Sequence, residues 1–269
     1  MVGVTRFQLA KAAQDQAFRL VHFSELASTN GEALARAKAE DPGRLWIVAD
    51  TQTAGRGRNG RAWFSPLGNL YASLLLLDPA PPHKAAELGF VCGVAATQVL
   101  REIMRDDQRI KIKWPNDVLY NGTKLCGILL ESATVPGGRL ACAAGFGVNC
   151  QAHPKNTPYP ATDLMTITGR SVAPETVLAK LSAAMANWLG VWAAGAGFES
   201  IRGEWLSLAA GLGARIRVTL PSHMVEGTFQ TIDSTGRLIL VQAGGVSRIE
   251  AGDIFLAPQS LTAAGAANG

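Results

Sequence analysis

The most informative stretch of the sequence is QTAGRGRNGRAWFSP, residues 52–66, which places three glycines among three arginines. Glycine allows the backbone to approach a ligand closely and to adopt positive φ. Arginine side chains are planar donors that bind phosphates and carboxylates. The hydrophobic runs on either side, Leu45 to Ala49 and Leu70 to Leu77, predict strands. We therefore predict an ordered anion-binding loop between two strands.

Two other interpretations of this loop stay open. A solvated basic loop would have the same composition, and so would an RNA-binding tract of the arginine–glycine type. Such tracts are usually repeated within low-complexity sequence, whereas this stretch occurs once. The net charge of +4 suits an anionic ligand such as a nucleotide but is too small to indicate DNA binding by itself.

Outward from the loop, predicted strands and helices before residue 210 follow one another irregularly. Asn121-Gly122 is a strong turn signal, so Val118–Tyr120 and Lys124–Glu131 form a predicted hairpin. These features predict the α+β class, a mixed β-sheet with helices packed on one face. The remaining predicted strands are Phe18–Leu26, Ile110–Trp114 and Leu140–Cys150, and the predicted helices are Glu32–Lys38, His83–Met104, Leu178–Trp192 and Phe198–Ala209.

The pattern changes at Gly211. From Arg215 to Leu256, short strand-like runs are separated by turn signals, which predicts a small all-β module, a barrel of about five strands. We therefore predict four segments: an N-terminal arm (1–17) that is either loose or a frayed helix, a large domain (18–210), the small barrel (211–257) and a disordered tail (258–269).

Composition excludes several classes of protein. With 48% hydrophobic and 17% charged residues, the 269-residue chain can bury a core and is not disordered. Its four cysteines form no Cys-x-x-Cys pair and no ligand spacing with the four histidines, so we expect no metal site and, in the apolar runs, buried free thiols. No run reaches the ~20 apolar residues of a membrane helix and no signal peptide is recognisable, so we predict a cytoplasmic protein without membrane association.

Two further motifs carry polar side chains at the ends of predicted strands. Lys113-Trp114-Pro115-Asn116-Asp117 could bind a sugar hydroxyl or a magnesium ion, although an Asx turn beside a packed tryptophan is equally consistent with it. The predicted hairpin folds Lys124 back beside this motif, where it is either a ligand-binding lysine or an edge-strand lysine that discourages aggregation. Gly145-x-Gly147-x-Asn149 follows a strand but precedes prolines instead of a helix, so it is not a dinucleotide fingerprint.

Taken together and in order, these segments resemble the biotin protein ligases, also called biotin–[acetyl-CoA-carboxylase] ligases. The resemblance spans residues from about 20 to 257 and implies a class II synthetase-like catalytic domain (18–210) followed by an SH3-like β-barrel. Its specificity comes from the combination of the arginine–glycine loop with the lysine–tryptophan–proline motif. The segments that carry it are Ser28-Thr29-Asn30, residues 52–66, Lys113–Asp117, Lys124-Leu125-Cys126-Gly127 and Gly145–Asn149.

The resemblance implies a two-step reaction. Biotin and MgATP give biotinyl-5′-AMP, and biotin then passes to a lysine of a biotin carboxyl carrier protein domain, in acetyl-CoA carboxylase or a related carboxylase. Biotin and ATP are thus the expected ligands, with Mg2+ carried by ATP and not by a protein metal site. Neither step needs a protein nucleophile, so catalysis would rest on positioning and charge neutralisation.

The resemblance also implies roles for single residues. Lys124 and Arg58 are the expected catalytic residues. An aromatic residue that packs on adenine is expected in the loop after the glycine strand, where Tyr159 is the one aromatic candidate between residues 151 and 162. The expected biotin-binding residues are Ser28, Thr29, Asn30, Gln52, Gly55, Arg56, Gly57, Arg58, Lys124 and Gly127. The expected ATP- and adenylate-binding residues are Arg58, Arg61, Trp63, Lys113, Asn116, Asp117, Lys124 and Asn149.

Some ligases of this family carry an N-terminal helix-turn-helix that represses transcription. About 17 residues precede the first predicted strand, whereas a DNA-reading helix pair needs roughly 40. We therefore expect a ligase without repressor activity or specific DNA binding, and a homodimer is left open. The rival functions are a lipoate protein ligase, a nucleic-acid-binding module and a biotin-binding regulator without catalysis.

Overall fold

The computed structural model describes residues 6–155, 157, 159–220, 223–250 and 252–256. Its strands are β1 (Arg19–Leu26), β2 (Leu45–Gln52), β3 (Leu70–Leu77), β4 (Ile110–Lys113), β5 (Asp117–Tyr120), β6 (Thr123–Val135), β7 (Arg139–Val148), β8 (Arg215–Thr219), β9 (Met224–Ile232), β10 (Leu238–Gln242), β11 (Gly245–Ile249) and β12 (Asp253–Leu256). Its α-helices are α1 (Lys11–Gln14), α2 (Thr29–Lys38), α3 (Leu88–Ile103), α4 (Leu164–Thr168), α5 (Pro174–Trp192) and α6 (Phe198–Leu208).

The first seven strands form one mixed sheet in the order β1-β2-β3-β7-β6-β5-β4. Strands β1 and β2 are parallel, and every other neighbouring pair is antiparallel. The predicted mixed sheet and the predicted hairpin are confirmed. Asn121 and Gly122 have φ of 47° and 81°, the left-handed backbone that a two-residue hairpin turn requires.

Helices cover both faces of this sheet. The three longest helices, α3, α5 and α6, pack together on one face, as predicted. The shorter helix α2 packs on the opposite face, because strand β2 is apolar on both sides: Trp46 belongs to the larger core cluster and Ile47 to the cluster under α2. The predicted helix 83–104 is divided, since Pro82–Glu87 is a 3-10 segment and α3 begins at Leu88. The short helix α4 was not predicted.

The N-terminal segment is packed against the large sheet over its described part, residues 6–17. Phe7 and Ala13 are fully buried in the core cluster. Arg6 forms ion pairs with Asp50 at 3.0 Å and with Glu175 at 2.5 Å. The loose-arm alternative is therefore wrong for these residues, because apolar side chains anchor them. The helical part of the segment is limited to the single turn α1, Lys11–Gln14.

The last five strands form a second, wholly antiparallel sheet in the order β11-β10-β9-β8-β12. This confirms the predicted five-stranded module of SH3-like type, although β11 and β12 remain the two outer strands of the hydrogen-bonded order. The two sheets share one core cluster, and Trp114 Nε1 donates to Gly236 O at 3.3 Å across their junction. The bounds 211–257 stay a prediction, and residue 257 and the predicted tail 258–269 lie outside the described residues.

The cysteines and helix α5 bear on two expectations drawn from composition. All four cysteines are buried and free, and burial raises the pKa of Cys142 to about 11 and that of Cys150 to about 12. Among the described helices, the segment Pro174–Gly195 is long and apolar enough to cross a membrane by length and composition alone. Six of its buried residues, among them Leu181 and Met185, belong to the core cluster, so the apolar face of α5 packs inside the protein.

Asp233 organises the turn between β9 and β10. Its Oδ1 accepts hydrogen bonds from the backbone N–H groups of Thr235 (2.9 Å) and Arg237 (3.0 Å), and its Oδ2 accepts from Arg237 Nε at 2.7 Å. Burial alone would raise the pKa of Asp233, but the hydrogen bonds from Thr235 and Arg237 outweigh it and lower the pKa to about 2. The turn is thus stabilised by the ionised carboxylate.

We predict that Asp233→Asn removes a pH-dependent part of the stability. A lowered pKa in the folded state gives stability that is present above the unfolded value of about 4 and is lost as the pH falls through the folded value. Relative to the variant, the wild type should lose about 2 kcal/mol of unfolding free energy between pH 4 and pH 2, a rough figure for a shift of this size. Denaturant titrations across this range measure it, and a constant difference between the two proteins would contradict the assignment.

Candidate active site

A cleft beside the central strands of the large sheet collects the residues that the sequence singled out. It is bounded by the arginine–glycine loop, by strands β6 and β7 and by Asp253 of β12. Of the predicted site residues, those that line it are Ser28, Thr29, Asn30, Gln52, Arg56, Gly57, Arg58, Arg61, Trp63, Lys113, Asn116, Asp117, Lys124, Gly127 and Asn149. Gly55 alone lies behind the lining, where a β-carbon would be 2.8 Å from Ser65 Oγ.

The arginine–glycine loop is a tight hairpin. Arg56 and Ala62 form an antiparallel bridge, and Trp63 N–H donates to Gly55 O at 2.9 Å. Asn59 and Gly60 form the tip with φ of 57° and 70°, a backbone that asparagine and glycine tolerate. The local sequence therefore dictates the turn that presents the arginines.

Three charged side chains meet at the ends of β4 and β5 and on β6. Asp117 is buried, its Oδ2 lies 3.0 Å from Lys113 Nζ, and its Oδ1 forms an ion pair with Lys124 Nζ at 2.6 Å that is not aligned as a hydrogen bond. Burial alone would raise the pKa of Asp117, but the charges of Lys124 and Lys113 outweigh it and hold the pKa below its usual value. The Asp117 carboxylate therefore stays ionised. Together with the two lysines it forms a cluster whose formal net charge is +1, and this cluster lines the cleft.

Lys124 lies beside the Lys113–Asp117 motif, as the predicted hairpin requires. Strand β6 lies between β5 and β7, so the edge-strand alternative is wrong. The side chain is only 27% exposed. Its backbone pairs with the segment after the glycine strand, because Lys124 N–H donates to Pro160 O at 2.8 Å and Thr162 N–H donates to Lys124 O at 2.9 Å.

Glycines on β6 and β7 make room for Trp63. Gly127 and Gly147 are paired across the two strands. A β-carbon at either position would lie 2.6 Å or 2.4 Å from the Trp63 ring. Lys124 Nζ is 5.1 Å from the centroid of the same ring, within the range of a cation–π contact. The glycine pattern thus creates a flat wall on which an indole packs.

Helix α2 brings its first residues to the other side of the cleft. Ser28 caps the helix by accepting from Gly31 N–H, and Thr29 N–H donates to Gln52 Oε1 at 2.8 Å. Asn30 is buried against β3 and β6. Polar groups that can bind both donors and acceptors therefore surround this end of the cleft.

Asp253 of the C-terminal sheet contacts two arginines of the loop. Both of its carboxylate oxygens accept from Arg61 Nη2, at 3.1 Å and 2.9 Å. Arg58 Nη1 donates to Gly252 O at 3.2 Å and lies 3.6 Å from Asp253 Oδ1. Burial would lower the pKa of Arg61, but Asp253 raises it, so the net shift is upward. The arginines are therefore oriented by a carboxylate from the second sheet.

The remaining predicted residues divide into lining and supporting groups. The Tyr159 ring lines the cleft with Lys113 Nζ 4.6 Å from its centroid. Asn116 and Asn149 also line it, but their Nδ2 groups donate to Ile128 O and Thr162 O. Trp114 is buried and does not line the cleft, so the packed tryptophan considered in the sequence analysis is present.

Several residues of the cleft were missed by sequence reasoning. Ser73 and Glu131 contact the lining residue Asn30 from behind the cleft. Ser73 is the one serine in the apolar run of β3, and Glu131 is the acidic residue that follows a hydrophobic run in β6, so both signals were available. Asp253 had no comparable signal, because its position follows from how the two sheets pack. The lining residues that were not predicted as site residues are Ala62, Phe64, Ile128, Leu129, Gly145, Phe146, Gly147, Pro154, Thr157, Ala161 and Asp253.

Comparisons with known proteins agree with this arrangement. Residues 26–149 match the Biotin/lipoate A/B protein ligase family, and residues 211–257 match the Biotin protein ligase C terminal domain. The chain is 39% identical over 236 residues to the biotin--[acetyl-CoA-carboxylase] ligase of Paracoccus denitrificans, covering 85% of this chain and 96% of that protein. It is 31% identical to the bifunctional ligase/repressor BirA of Bacillus subtilis, over 93% of this chain and 77% of that protein.

Solved structures give the same result. The biotin protein ligase of Aquifex aeolicus in complex with biotin and ATP superimposes with a TM-score of 0.75 at 28% identity, over 88% of this chain and 97% of that one. Fold and cleft thus define a protein of the biotin and lipoate ligase class. Within that class, the chain belongs to the biotin protein ligase family.

We predict that Gly147→Ala destabilises the cleft, because the new β-carbon would lie within 2.4 Å of the Trp63 ring in a wall of paired strands. Overpacking of this kind costs roughly 1–3 kcal/mol of unfolding free energy. Gly203→Ala on the exposed side of α6 is the matched control, since nothing lies within 4 Å of its β-carbon and alanine favours helix by up to ~1 kcal/mol. Chemical denaturation of both variants measures the effect, and equal stabilities would contradict it.

Proposed function

We propose that the protein activates biotin with MgATP and transfers it to a lysine of a carrier protein. The observation that carries the proposal is the position of Lys124. Its Nζ lies between the ionised Asp117 carboxylate and the Trp63 ring, in the same cleft as the arginine–glycine loop. Cations are thereby concentrated where two anionic substrates would have to meet.

The first step joins the biotin carboxylate to the α-phosphate of ATP and releases pyrophosphate. Two anions repel each other as they approach, so the side chains that neutralise their charge lower the barrier most. We assign this role to Lys124 and Arg58, with Arg61 on the phosphates. Because Asp117 holds Lys124 and Asp253 holds Arg61, these cations are oriented before the substrates arrive, which avoids reorganisation during the reaction.

The two ends of the cleft suit the two substrates. The polar groups of Ser28, Thr29, Asn30 and Gln52 suit the ureido ring of biotin, and Gly55, Arg56, Gly57 and Gly127 lie in the loop and strand beside them. We assign the other end of the cleft to the nucleotide, with the Tyr159 ring as the adenine contact. The residues at this end are Trp63, Lys113, Asn116, Asp117 and Asn149. Among the described residues no three His, Cys, Asp or Glu side chains are grouped as metal ligands. In this proposal Mg2+ enters the cleft with ATP as part of the substrate.

The second step is attack of an acceptor lysine amine on the acyl carbon of biotinyl-5′-AMP. The amine forms an amide, loses a proton, and AMP leaves. We propose a biotin carboxyl carrier protein domain as the acceptor, because the Paracoccus relative is named a ligase of acetyl-CoA carboxylase. A cytoplasmic location and the absence of specific DNA binding are part of the same proposal, and the homodimer stays a prediction.

A lipoate ligase is the alternative with the same chemistry. The hydrogen-bonding groups at Thr29, Asn30 and Gln52 favour biotin, because the dithiolane ring of lipoate has no N–H or C=O group to pair with them. Pyrophosphate release measured with biotin and with lipoate in parallel distinguishes the two. Faster turnover with lipoate would overturn the choice of biotin.

We predict that Lys124→Ala reduces biotin-dependent pyrophosphate release by about 100-fold or more, the usual loss when one preorganised charge is removed from a reacting anion. The fold should persist, because Lys113 still pairs with Asp117. Lys111→Ala on the same sheet, outside the cleft lining, serves as the control. Pyrophosphate release that stays near the wild-type rate in Lys124→Ala would remove this residue from the mechanism.

We further predict that Arg58→Gly still forms biotinyl-5′-AMP but releases it early, because the loop loses the guanidinium that joins it to Gly252 and to the phosphates. Arginine–anion hydrogen bonds contribute roughly 1.5–3 kcal/mol each, so the adenylate off-rate should rise about tenfold or more. Released adenylate should then label lysines of a bystander protein.

Arg105→Gly is the control for this variant. Arg105 has φ of 59° on an exposed turn, where glycine is well tolerated. It should leave the off-rate and the bystander labelling unchanged. If Arg58→Gly also left both unchanged, Arg58 would not retain the adenylate.

A further inference from the structure

Asn30 has a fixed amide orientation inside the cleft. It is 3% exposed, and its Nδ2 donates to Leu129 O at 3.1 Å and to Glu131 Oε2 at 2.8 Å. Its Oδ1 accepts a hydrogen bond from the hydroxyl of the fully buried Ser73 at 2.6 Å, which leaves one lone pair of that oxygen for a ligand. Both amide hydrogens are therefore taken by protein acceptors, and Asn30 can offer a ligand only its carbonyl oxygen.

The backbone leaves Asn30 little freedom to change this orientation. A β-carbon at Gly145 would lie 2.5 Å from Asn30 Oδ1, so the glycine is what makes room for the amide. The side chain thus lies between a strand surface on one side and two acceptors on the other. Rotation of the amide by 180° would bring its oxygen against Leu129 O and the Glu131 carboxylate, which is repulsive.

Glu131 makes a second contact that reaches the arginine–glycine loop. Its carboxylate oxygens lie 3.3 Å and 3.5 Å from Arg56 Nη2. Arg56 lines the cleft, whereas Glu131 does not. We call the end of the cleft formed by Ser28, Thr29, Asn30 and Gln52 the biotin ring pocket. The Glu131 carboxylate therefore joins Asn30 of this pocket to Arg56 of the loop, from behind the lining of the cleft.

We propose that Glu131 is a positioning residue that couples the biotin ring pocket to the arginine loop. It fixes Asn30 as an acceptor for a ligand N–H group, a donor that the ureido ring has and the dithiolane ring lacks. Through Arg56 the same carboxylate also holds the arginine–glycine loop against β6. The inference rests on the proposed function, since it deepens the assignment of that cleft.

Two variants separate the two contacts. Glu131→Gln keeps an oxygen that accepts from Asn30 but removes the charge opposite Arg56. It should leave the biotin Kd within about twofold of wild type and raise the adenylate off-rate about two- to fivefold, the range of a partly exposed ion pair. Glu131→Ala frees the Asn30 amide and should weaken biotin binding about tenfold or more.

A double-mutant cycle tests the coupling. In an Arg56→Gln background, Glu131→Gln should no longer change the adenylate off-rate, because the ion pair is already absent. A purely structural role for Glu131 would instead lower the thermal midpoint and shift Kd and off-rate together in both variants. Equal biotin Kd values for Glu131→Gln and Glu131→Ala would overturn the proposal, and so would an off-rate effect of Glu131→Gln that persists without Arg56.

A ligand-independent measurement keeps this inference distinguishable from the proposed function. The side-chain amide hydrogens of Asn30, followed by ¹⁵N NMR, should exchange slowly in wild type and Glu131→Gln and quickly in Glu131→Ala. Fast exchange in wild type would overturn the role of Glu131. Slow exchange in a wild-type protein that binds no biotin would overturn the proposed function and leave the positioning role intact.

Discussion

The buried carboxylate of Asp117 is the constraint on which the cleft depends. A carboxylate removed from water is costly unless it is paired, and here two lysines pair with it. The β4–β5 register places Lys113 opposite Asp117, and the turn at Asn121 and Gly122 returns the chain so that Lys124 meets it from β6. Two successive hairpins therefore satisfy a buried charge and direct an ammonium group into the cleft.

Glycines and a second sheet complete the arrangement around this group. Gly127 and Gly147 leave space for the Trp63 ring, and Gly145 leaves space for the Asn30 amide, so the small residues of β6 and β7 decide which large side chains form the cleft. Asp253 from β12 then holds Arg61. Because both sheets share one apolar core, this contact is maintained by packing as well as by charge.

Much of this could be predicted from sequence, because it depends on local signals. Apolar runs predicted β3, and the Asn121-Gly122 turn predicted the hairpin. What could not be predicted depends on packing between distant segments. Polar residues interrupt the apolar ones throughout residues 6–17, so no periodic pattern shows that Phe7 is anchored. Helix α2 on the second face follows from β2 being apolar on both sides. Asp253 matters through a partner, Arg61, that is 192 residues away in sequence.

The central claim is that an oriented lysine and the arginine loop let this protein join a carboxylate to an amine through an adenylate. Its most direct test is the intact mass of a purified biotin carboxyl carrier protein domain after incubation with the protein, biotin and MgATP. The account predicts a gain of one biotinyl group, located on the acceptor lysine and absent when that lysine is replaced by arginine. An acceptor whose mass does not change, while biotin-dependent pyrophosphate is released, would contradict it.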